Sequence, residues 1–333
     1  MKVFTATDLA RDRLGGASVA VLGFGNQGHA HALNLRDAGT RVVVGARPGG
    51  TGWEAARKDG FEAMEIPAAV AAADVVSVLL PDEVQAEVFA REIAPNLKRG
   101  ATLVFAHGFA VTFGGVTLPA GHDVVLVAPK AQGHFLRRTF VEGGGVPCLF
   151  AVHHDTSGAA RETALSYASR LGCLRAGAIE TTFREETVSD LFGEQAVLCG
   201  GVPELVKAAF EALVARGYAP EVAYIECLQE LKIIADLMYE GGLAHMRGRI
   251  SRTAAWGSFE SGPRLVDGDT RRRLARLLES IEAGEFAREW MEEARAGQKR
   301  LDARMREEAN HDIERAGHTV RALMHTKPEG KST

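Results

Sequence analysis

Two pairs of acidic residues, the members of each four residues apart, lie in otherwise apolar stretches of the sequence. Asp190 and Glu194 form the first pair, and Glu226 and Glu230 repeat the spacing about one helix further along the chain. Residues at this spacing project from one face of a helix. Because unpaired carboxylates are costly to bury, the two pairs predict an oxygen-ligand cage for hard divalent cations, with Mg2+ as the expected metal. A solvated surface is the alternative interpretation of either pair alone.

Near the N-terminus, a glycine-rich stretch lies between a predicted strand and a predicted helix. The apolar run 18–22 predicts a buried strand, residues 30–38 a helix, and residues 41–45 a second strand. The stretch between the first strand and the helix reads G-x-G-x-x-G, which in this context predicts a dinucleotide-binding turn with the helix amides facing the pyrophosphate. The residues expected to bind the cofactor here are Gly23, Phe24, Gly25, Asn26, Gln27 and Gly28.

The end of the second strand bears on the choice of cofactor. An acidic residue at this place usually holds the ribose diol of NAD, but this chain has Ala46 followed by Arg47. An arginine here usually accompanies a 2′-phosphate, so NADPH is favoured, with Arg47 and the hydroxyl of Thr51 as its expected contacts. Because Gly50 and Gly52 supply no side-chain donors, use of NADH stays open. Arg47 as a solvated loop cation is the alternative.

Residues that follow strands are the next candidates, because ligands of α/β sheets lie at the carboxyl ends of the strands. Further strands are predicted at 74–80, 102–105, 124–128, 147–152 and 174–179. His107 and Lys130 follow the second and third of these, so both are expected near the nicotinamide with catalytic roles. An ordinary polar loop residue is the alternative for His107. Further cofactor contacts are expected from Asp82, Glu83, Val84, Gln85 and Gly133.

The order of predicted elements divides the chain into two domains. Residues 1–182 alternate strand and helix, which predicts a doubly wound α/β (Rossmann) dinucleotide-binding domain with helices on both faces of the sheet. Residues 183–328 predict an all-helical metal and substrate domain, followed by a polar tail at 329–333. Its helices are expected at 190–200, 203–216 and 221–239, with charged amphipathic helices over 271–323. The helix at 221–239 is apolar enough for a subunit interface.

Composition limits the classes of ligand and compartment. The 333 residues carry a formal net charge of −4, which offers no general attraction for nucleic acid or an anionic membrane. The ligands are therefore expected to be small molecules. Four cysteines without a C-x-x-C motif, expected as buried free thiols, and the lack of a spanning run or signal peptide favour a reducing cytoplasm.

Several long motifs together resemble one family, ketol-acid reductoisomerase (acetohydroxyacid isomeroreductase), in its short class I form. The matching stretches span nearly the whole chain and lie at 23–36, 79–83, 105–109, 128–130, 180–183, 190–195 and 239–242. The resemblance implies an N-terminal nicotinamide domain and a knotted helical C-terminal domain. It also implies Mg2+-dependent alkyl migration and NADPH reduction of 2-acetolactate or 2-aceto-2-hydroxybutanoate, in valine and isoleucine biosynthesis.

The resemblance also implies roles for individual residues. Two magnesium ions would be held by the four carboxylates, with Asp190 bridging them. His107 matches the active-site histidine of the family, Lys130 would hold charge nearby, and Glu230 or a metal-bound hydroxide would handle the proton. Ser251 would touch the substrate carboxylate. The family implies a homodimer whose active sites take Glu226, Glu230 and Ser251 from the partner subunit, and a higher oligomer is left open.

Three departures from the family pattern keep other readings open. The family usually has serine at positions 50 and 52, Gly-Pro after Lys130 where this chain has Ala131-Gln132, and Tyr-Ser where it has Gly248-Arg249. A paralogue acting on another 2-keto or 2-hydroxy-3-keto acid is one alternative. A 2-keto-acid reductase without isomerisation and a catalytically silent cofactor-binding scaffold are the others.

Overall fold

The computed structural model describes residues 2–325 of the chain, and the predicted tail at 329–333 lies outside these residues. Contacts within the chain divide it into two compact units, with the division between Ser189 and Asp190. The division falls inside a helix that spans Phe183–Gly193. The first unit is an α/β domain and the second is built from helices. No helix within the described residues combines the length and the apolarity needed to cross a membrane.

The first unit is organised around one nine-stranded sheet of order β1-β9-β8-β7-β6-β5-β2-β3-β4. The strands are β1 (Val3–Phe4), β2 (Ser18–Leu22), β3 (Arg41–Gly45), β4 (Glu62–Met64), β5 (Val75–Val78), β6 (Thr102–Phe105), β7 (Asp123–Pro129), β8 (Cys148–His154) and β9 (Ala178–Glu180). Strands β2 to β7 run parallel to their neighbours in this set. Their carboxyl ends therefore share one edge of the sheet.

The sheet is mixed in direction, which the apolar pattern did not reveal. Strand β8 pairs antiparallel with β7, and β1 pairs antiparallel with β9. An apolar run indicates burial on both faces but carries no information about strand direction. The strands β1 and β4 were not predicted because two or three residues are too short for a periodic signal. The predicted strand at 174–179 is corrected to Ala178–Glu180, because Cys173–Arg175 forms a 3-10 turn.

Helices cover both faces of this sheet. They are α1 (Asn26–Asp37), α2 (Thr51–Lys58), α3 (Ile66–Ala72), α4 (Asp82–Val88), α5 (Phe109–Thr112), α6 (Gly133–Val141) and α7 (Ala160–Arg170), with a π-helical turn at Phe89–Ile93 and 3-10 turns at Ala6–Asp8, Ala94–Asn96 and Cys173–Arg175. Alternate residues of β2 enter different cores: Val19 and Val21 pack in one, and Ala20 and Leu22 in the other. This alternation confirms the prediction of a sheet buried on both sides.

The second unit consists of helices and helical turns. They are α8 (Phe183–Gly193, which begins in the first unit), α9 (Gly201–Ala215), α10 (Pro220–Tyr224), α11 (Leu231–Arg249), α12 (Arg252–Leu265), α13 (Gly268–Glu282), α14 (Glu285–Arg295), α15 (Lys299–Ala309) and α16 (Asp312–His325), with π-helical turns at Glu194–Leu198 and Ile225–Gln229. Residues of α9, α10 and α16, including Phe210, Tyr224 and Val320, form its buried core.

The predicted helices of this unit are corrected in their boundaries. The expected helix at 190–200 is the end of α8 followed by the π turn Glu194–Leu198. The expected helix at 221–239 is α10, the π turn Ile225–Gln229 and the start of α11, which is kinked at Gly242. One extra residue shifts the phase of a helix by about 100°, but the helical segments beside these turns are too short for apolar spacing to reveal the shift.

The acidic pairs lie on a surface that the second unit leaves exposed. Glu194, Glu226 and Glu230 are exposed and Asp190 is half-buried, so the expected burial of these carboxylates is corrected for the single chain. Apolar neighbours are exposed with them: Ile233 is 61% and Tyr239 84% accessible. All four cysteines were expected to be buried, and this expectation is corrected for two of them. Cys199 is exposed and Cys227 is half-buried, whereas Cys148 and Cys173 are buried.

Candidate active site

The glycine turn after β2 is packed tightly at two of its three glycines. Gly23 has φ +90°, and a Cβ there would lie 2.6 Å from the Leu79 carbonyl oxygen. A Cβ on Gly28 would lie 2.1 Å from the Gly23 carbonyl oxygen. A Cβ on Gly25 would meet nothing within 4 Å. The first and third glycines are thus demanded by the fold, while the second leaves open space beside the backbone, as close approach of a pyrophosphate requires.

Helix α1 begins four residues earlier than the sequence predicted, at Asn26 rather than residue 30. Gly25 is its N-cap, so Asn26, Gln27 and Gly28 form its first turn. The reason is that the G-x-G-x-x-G pattern contains the start of the helix rather than preceding it. The first free amides of α1 therefore lie within the motif, where they can bind an anion.

The glycine turn is joined to the loop that follows β7. The Gln27 side-chain Nε2 donates to the Ala131 carbonyl oxygen at 2.9 Å. A Cβ on Gly133 would lie only 1.9 Å from the Asn26 carbonyl oxygen, so the two loops touch backbone to backbone. The Oε1 atom of Gln27 is buried and has no hydrogen-bond partner among the described residues. A buried acceptor at the turn fits a site that receives donors from a bound cofactor.

The loop after β3 leads directly into α2. Arg47 is exposed, and its carbonyl accepts from the Gly50 amide at 3.0 Å. Gly50 is the N-cap of α2 and Thr51 its first residue, so both lie at a helix N-terminus. A cavity of about 390 Å³ adjoins the glycine turn and is lined by Phe24, Gly25, Asn26, His29, Ala55, Lys58 and Asp59.

Residues 82–85 form the first turn of α4, directly after β5. The Gln85 side-chain Nε2 donates to the Leu80 carbonyl oxygen at 2.7 Å and to Asp82 Oδ1 at 3.1 Å. Its Oε1 atom is buried without a partner among the described residues. Val84 is exposed on the same turn. These positions lie at the same sheet edge as the glycine turn, because β5 and β2 are parallel neighbours.

His107 and Lys130 are brought together by a third residue, Glu186 on α8. The His107 Nδ1 atom lies 3.1 Å from Glu186 Oε2, and the Lys130 Nζ donates to Glu186 Oε1 at 2.8 Å. The Gly108 amide also donates to Glu186 Oε2, at 2.9 Å. The Glu186 side chain is 1% accessible, compared with 25% for His107 and 32% for Lys130. One buried carboxylate thus orients two partly exposed groups.

The charge state of Glu186 follows from these contacts. Burial alone raises the pKa of its carboxyl, but the hydrogen bonds and charges of His107 and Lys130 outweigh burial and hold the pKa below its ordinary value of 4.5. Glu186 is therefore ionised at neutral pH and acts only as an acceptor. An accepting carboxylate places the proton of the His107 ring on Nδ1, so the Nε2 atom is directed away from Glu186.

Glu186 was missed in the sequence, although a signal for it existed. The residue lies four positions before Asp190, the same spacing that singled out Asp190 and Glu194. Glu186 and Asp190 therefore lie at successive turns of α8, and Glu194 follows at the start of the π turn. Glu186 lay in the charged junction Glu180–Thr187, where an acidic residue more often faces solvent.

A candidate metal site is formed by two residues of α8 and by His107 from the loop after β6. Ligand atoms of His107, Glu186 and Asp190 all lie within 4.8 Å of one another. Within residues 2–325, no group of three such side chains includes Glu194, Glu226 or Glu230. Glu186 and Asp190 offer the carboxylate oxygens that Mg2+ prefers, whereas the imidazole of His107 is a ligand typical of softer metals.

Ser251 stands at the N-terminus of α12. Its Oγ atom accepts from the Ala254 amide at 3.1 Å, as an N-cap serine does. The neighbouring Arg249 is exposed, like Ser251 itself. A serine hydroxyl beside free helix amides is a suitable contact for a carboxylate.

Family models match both parts of the chain. Residues 13–177 match the model described as acetohydroxy acid isomeroreductase, NADPH-binding domain. Residues 183–326 match the model described as ketol-acid reductoisomerase, C-terminal domain. The two matches together cover most of the sequence.

Similar solved structures include a member of the same family. An NADH-preferring ketol-acid reductoisomerase from an uncultured archean is 41% identical, with a TM-score of 0.95 over 98% of this chain and 100% of that one. A semialdehyde dehydrogenase NAD-binding protein from Cupriavidus necator is 20% identical, with a TM-score of 0.59 over 80% of this chain and 99% of that one. At that identity the second likeness concerns the fold alone.

Proposed function

The chain belongs to the ketol-acid reductoisomerase family, and from this we propose how its own residues carry out the reaction. The protein is an NAD(P)H-dependent oxidoreductase with ketol-acid reductoisomerase activity in branched-chain amino-acid biosynthesis. Its substrates are 2-acetolactate and 2-aceto-2-hydroxybutanoate, in which an alkyl group migrates before the new 2-keto acid is reduced. The observation that carries the site assignment is the Glu186 carboxylate holding both His107 and Lys130.

We propose that the cofactor lies along the edge where β2, β3, β5, β6 and β7 end. The open space beside Gly25 and the buried acceptors of Gln27 and Gln85 support its place. Arg47 and Thr51 would meet a 2′-phosphate, but Gly50 and Gly52 offer it no hydroxyls. A 41% identical relative that prefers NADH supports use of NADH alongside NADPH.

We propose two Mg2+ ions held by Asp190, Glu194, Glu226 and Glu230, the last two supplied by a partner subunit. The exposure of Glu226 and Glu230 beside exposed Ile233 and Tyr239 supports a second copy covering this surface. We also propose that the helical unit has the knotted path that the family implies. The four free cysteines fit a reducing cytoplasm as the compartment.

When bound, the metal ions supply Lewis-acid stabilisation of two substrate oxygens, and the nicotinamide supplies hydride. Lys130 places a positive charge near the substrate oxygens that become negative. Glu186 keeps the ammonium group of Lys130 in position. His107 is fixed with Nδ1 toward Glu186, so its Nε2 can exchange a proton with the substrate. Glu230 would accept the substrate hydroxyl proton, and the Ser251 hydroxyl would hold the substrate carboxylate.

The experiment compares two substrates with and without Mg2+. Purified protein is incubated with NADPH or NADH and either 2-acetolactate or 3-hydroxy-3-methyl-2-oxobutanoate, the isomerised intermediate, and cofactor oxidation is followed. The proposal expects Mg2+-dependent turnover of both. Turnover of the intermediate alone would mean that reduction is retained and migration is absent. Ala131-Gln132 and Gly248-Arg249 depart from the family pattern, so a substrate with a different alkyl group is the second candidate. The same assay is therefore repeated with longer 2-hydroxy-3-keto acids.

A further inference from the structure

The proposed metal ligands of the second unit coincide with unusual backbone. Three π-helical turns occur in the described residues, and two of them lie at the acidic pairs. Glu194 is the first residue of the turn Glu194–Leu198. Glu226 lies within the turn Ile225–Gln229, and Glu230 follows it directly. Single π turns inside helices are rare and are found frequently at functional sites.

Each turn is anchored on a residue of an acidic pair. The Glu194 carbonyl oxygen accepts from both the Cys199 amide, at 2.7 Å, and the Gly200 amide, at 3.0 Å. In the second turn, the Glu230 amide donates to the Ile225 carbonyl oxygen at 3.1 Å. The backbone position of a proposed ligand is therefore part of the hydrogen bonding of the turn itself.

The first turn can form only with glycine at two positions. A Cβ on Gly200 would lie 2.1 Å from the Gln195 carbonyl oxygen, and a Cβ on Gly201 would lie 2.1 Å from the Ala196 carbonyl oxygen. Real Cβ atoms essentially never approach a heavy atom within 3.0 Å. By contrast, a Cβ on Gly193, directly before Glu194, would meet nothing within 4 Å. Of the three glycines beside this turn, Gly200 and Gly201 cannot carry a side chain without a steric conflict, whereas Gly193 can.

We propose that Gly200 and Gly201 are positioning residues for the metal site, because they permit the widened turn that sets the backbone of Glu194. This inference rests on the proposed role of Glu194 as a metal ligand. A Cβ at position 200 would have to move from 2.1 Å to at least 3.0 Å from the Gln195 carbonyl oxygen. The Gly200 amide donates to the Glu194 carbonyl oxygen, so this movement is passed to Glu194 itself. Mg2+ holds its oxygens at about 2.0–2.1 Å in near-ideal octahedral geometry, so a displacement of that size loses the ligand.

The test measures binding of Mn2+ as a probe for the divalent-cation site, from the electron paramagnetic resonance signal of free Mn2+. The full-length protein is compared with Gly200→Ala, Gly201→Ala, the matched control Gly193→Ala and the benchmark Glu194→Gln. Binding of NADPH and thermal unfolding are measured on every variant. We expect Gly200→Ala and Gly201→Ala to weaken Mn2+ binding about tenfold or more, toward Glu194→Gln, with NADPH binding unchanged. Gly193→Ala should bind Mn2+ as the parent does.

The outcomes separate this inference from the proposed function. If Glu194→Gln loses Mn2+ binding while both glycine variants keep it, the positioning role is overturned and the metal site stands. If Glu194→Gln binds Mn2+ normally, the metal assignment fails and the inference fails with it. Should the alanine variants not fold, Ala196 is deleted from the parent protein instead. The deletion shortens the π turn to α-helical length while Gly200 and Gly201 are kept, so no added Cβ meets a carbonyl oxygen. That deletion is expected to fold and to bind Mn2+ weakly, and normal Mn2+ binding by it would overturn the inference.

Discussion

The Lys130 ammonium group and the buried Glu186 carboxylate form a 2.8 Å ion pair that joins the end of β7 to helix α8. The same carboxylate accepts from the Gly108 amide in the loop after β6. Two neighbouring strand ends and one helix are therefore fixed relative to one another by a single side chain. The effect of losing that charge can be measured on both catalysis and stability.

Replacing Glu186 with Gln should lower kcat on the order of a hundredfold, because Lys130 and His107 lose the charge that orients them. KM for the cofactor should change little, since Glu186 touches none of the glycine turn. We also expect a loss of about 1–3 kcal/mol in the free energy of unfolding. Steady-state kinetics and urea unfolding measure the two effects. Glu185→Gln, an exposed neighbour, is the control and should behave like the parent.

The stability that Glu186 contributes should depend on pH in a defined direction. Its pKa in the folded protein lies below the ordinary value of 4.5, so its contribution is present above that pH and is lost as pH falls through the folded pKa. The difference in unfolding free energy between the parent and Glu186→Gln should therefore be constant near neutrality and shrink below about pH 4.5. Urea unfolding at a series of pH values measures it. A difference that grows on acidification would contradict the assignment.

Two glycines of the cofactor region should give opposite results when changed to alanine. Gly133→Ala places a Cβ against the Asn26 backbone and should cost about 1–3 kcal/mol of stability. Gly25→Ala meets no protein atom within 4 Å, so its stability should match the parent while NADPH binding weakens about tenfold or more. Thermal unfolding and cofactor fluorescence titration distinguish them. Equal destabilisation by both would show that Gly25 serves the fold rather than the ligand.

Cofactor preference should respond to a hydroxyl at position 52. A Cβ on Gly52 would make ordinary contact with Phe24 at 3.5 Å, so Gly52→Ser fits without a steric conflict. A charge-assisted hydrogen bond to a 2′-phosphate should shift the ratio of kcat/KM values about tenfold toward NADPH. Gly52→Ala adds the carbon without the hydroxyl and should leave the ratio unchanged. A shift by the alanine variant would assign the effect to packing instead.

The exposed apolar surface of the second unit should be covered by a partner copy. Ile233→Asp introduces a charge there and should dissociate the protein and abolish Mg2+-dependent turnover. Val141→Asp, at an exposed position of the first unit, is the matched control and should leave the oligomer intact. Sedimentation velocity reports the state directly. A parent protein that sediments as a monomer while active would refute shared active sites.

Local sequence patterns predicted the elements that position the candidate site residues. The glycine motif, the strand ends before His107 and Lys130, and the acidic spacing could each be read from neighbouring residues. The spacing of Glu186 from Asp190 marked a helix face, but its role depends on Lys130 and His107, which lie 56 and 79 positions earlier in the chain and which no local pattern connects to it. The same holds for the antiparallel pairing of β7 and β8.

The π turns were also beyond the reach of periodicity. One extra residue changes the phase of a helix by about 100°, but apolar spacing fixes a phase only over a window of about 11 residues or more, and α10 has five. The Gly200-Gly201 pair was the only local sign of the first turn, and adjacent glycines more commonly mark a helix end. The exposure of the acidic residues could not be judged from the sequence either. It depends on which other elements pack against them, and apolar neighbours in the chain do not report that.

The packing of Gly133 on Asn26 bears on the thermodynamics of cofactor binding. This contact and the hydrogen bond from Gln27 to Ala131 join the loops after β2 and β7 through protein atoms alone. A dinucleotide that binds there has little chain to order and loses little conformational entropy of the protein. Less of its contact energy is then spent on ordering the loop that carries Lys130, so these two loop contacts are expected to favour cofactor affinity.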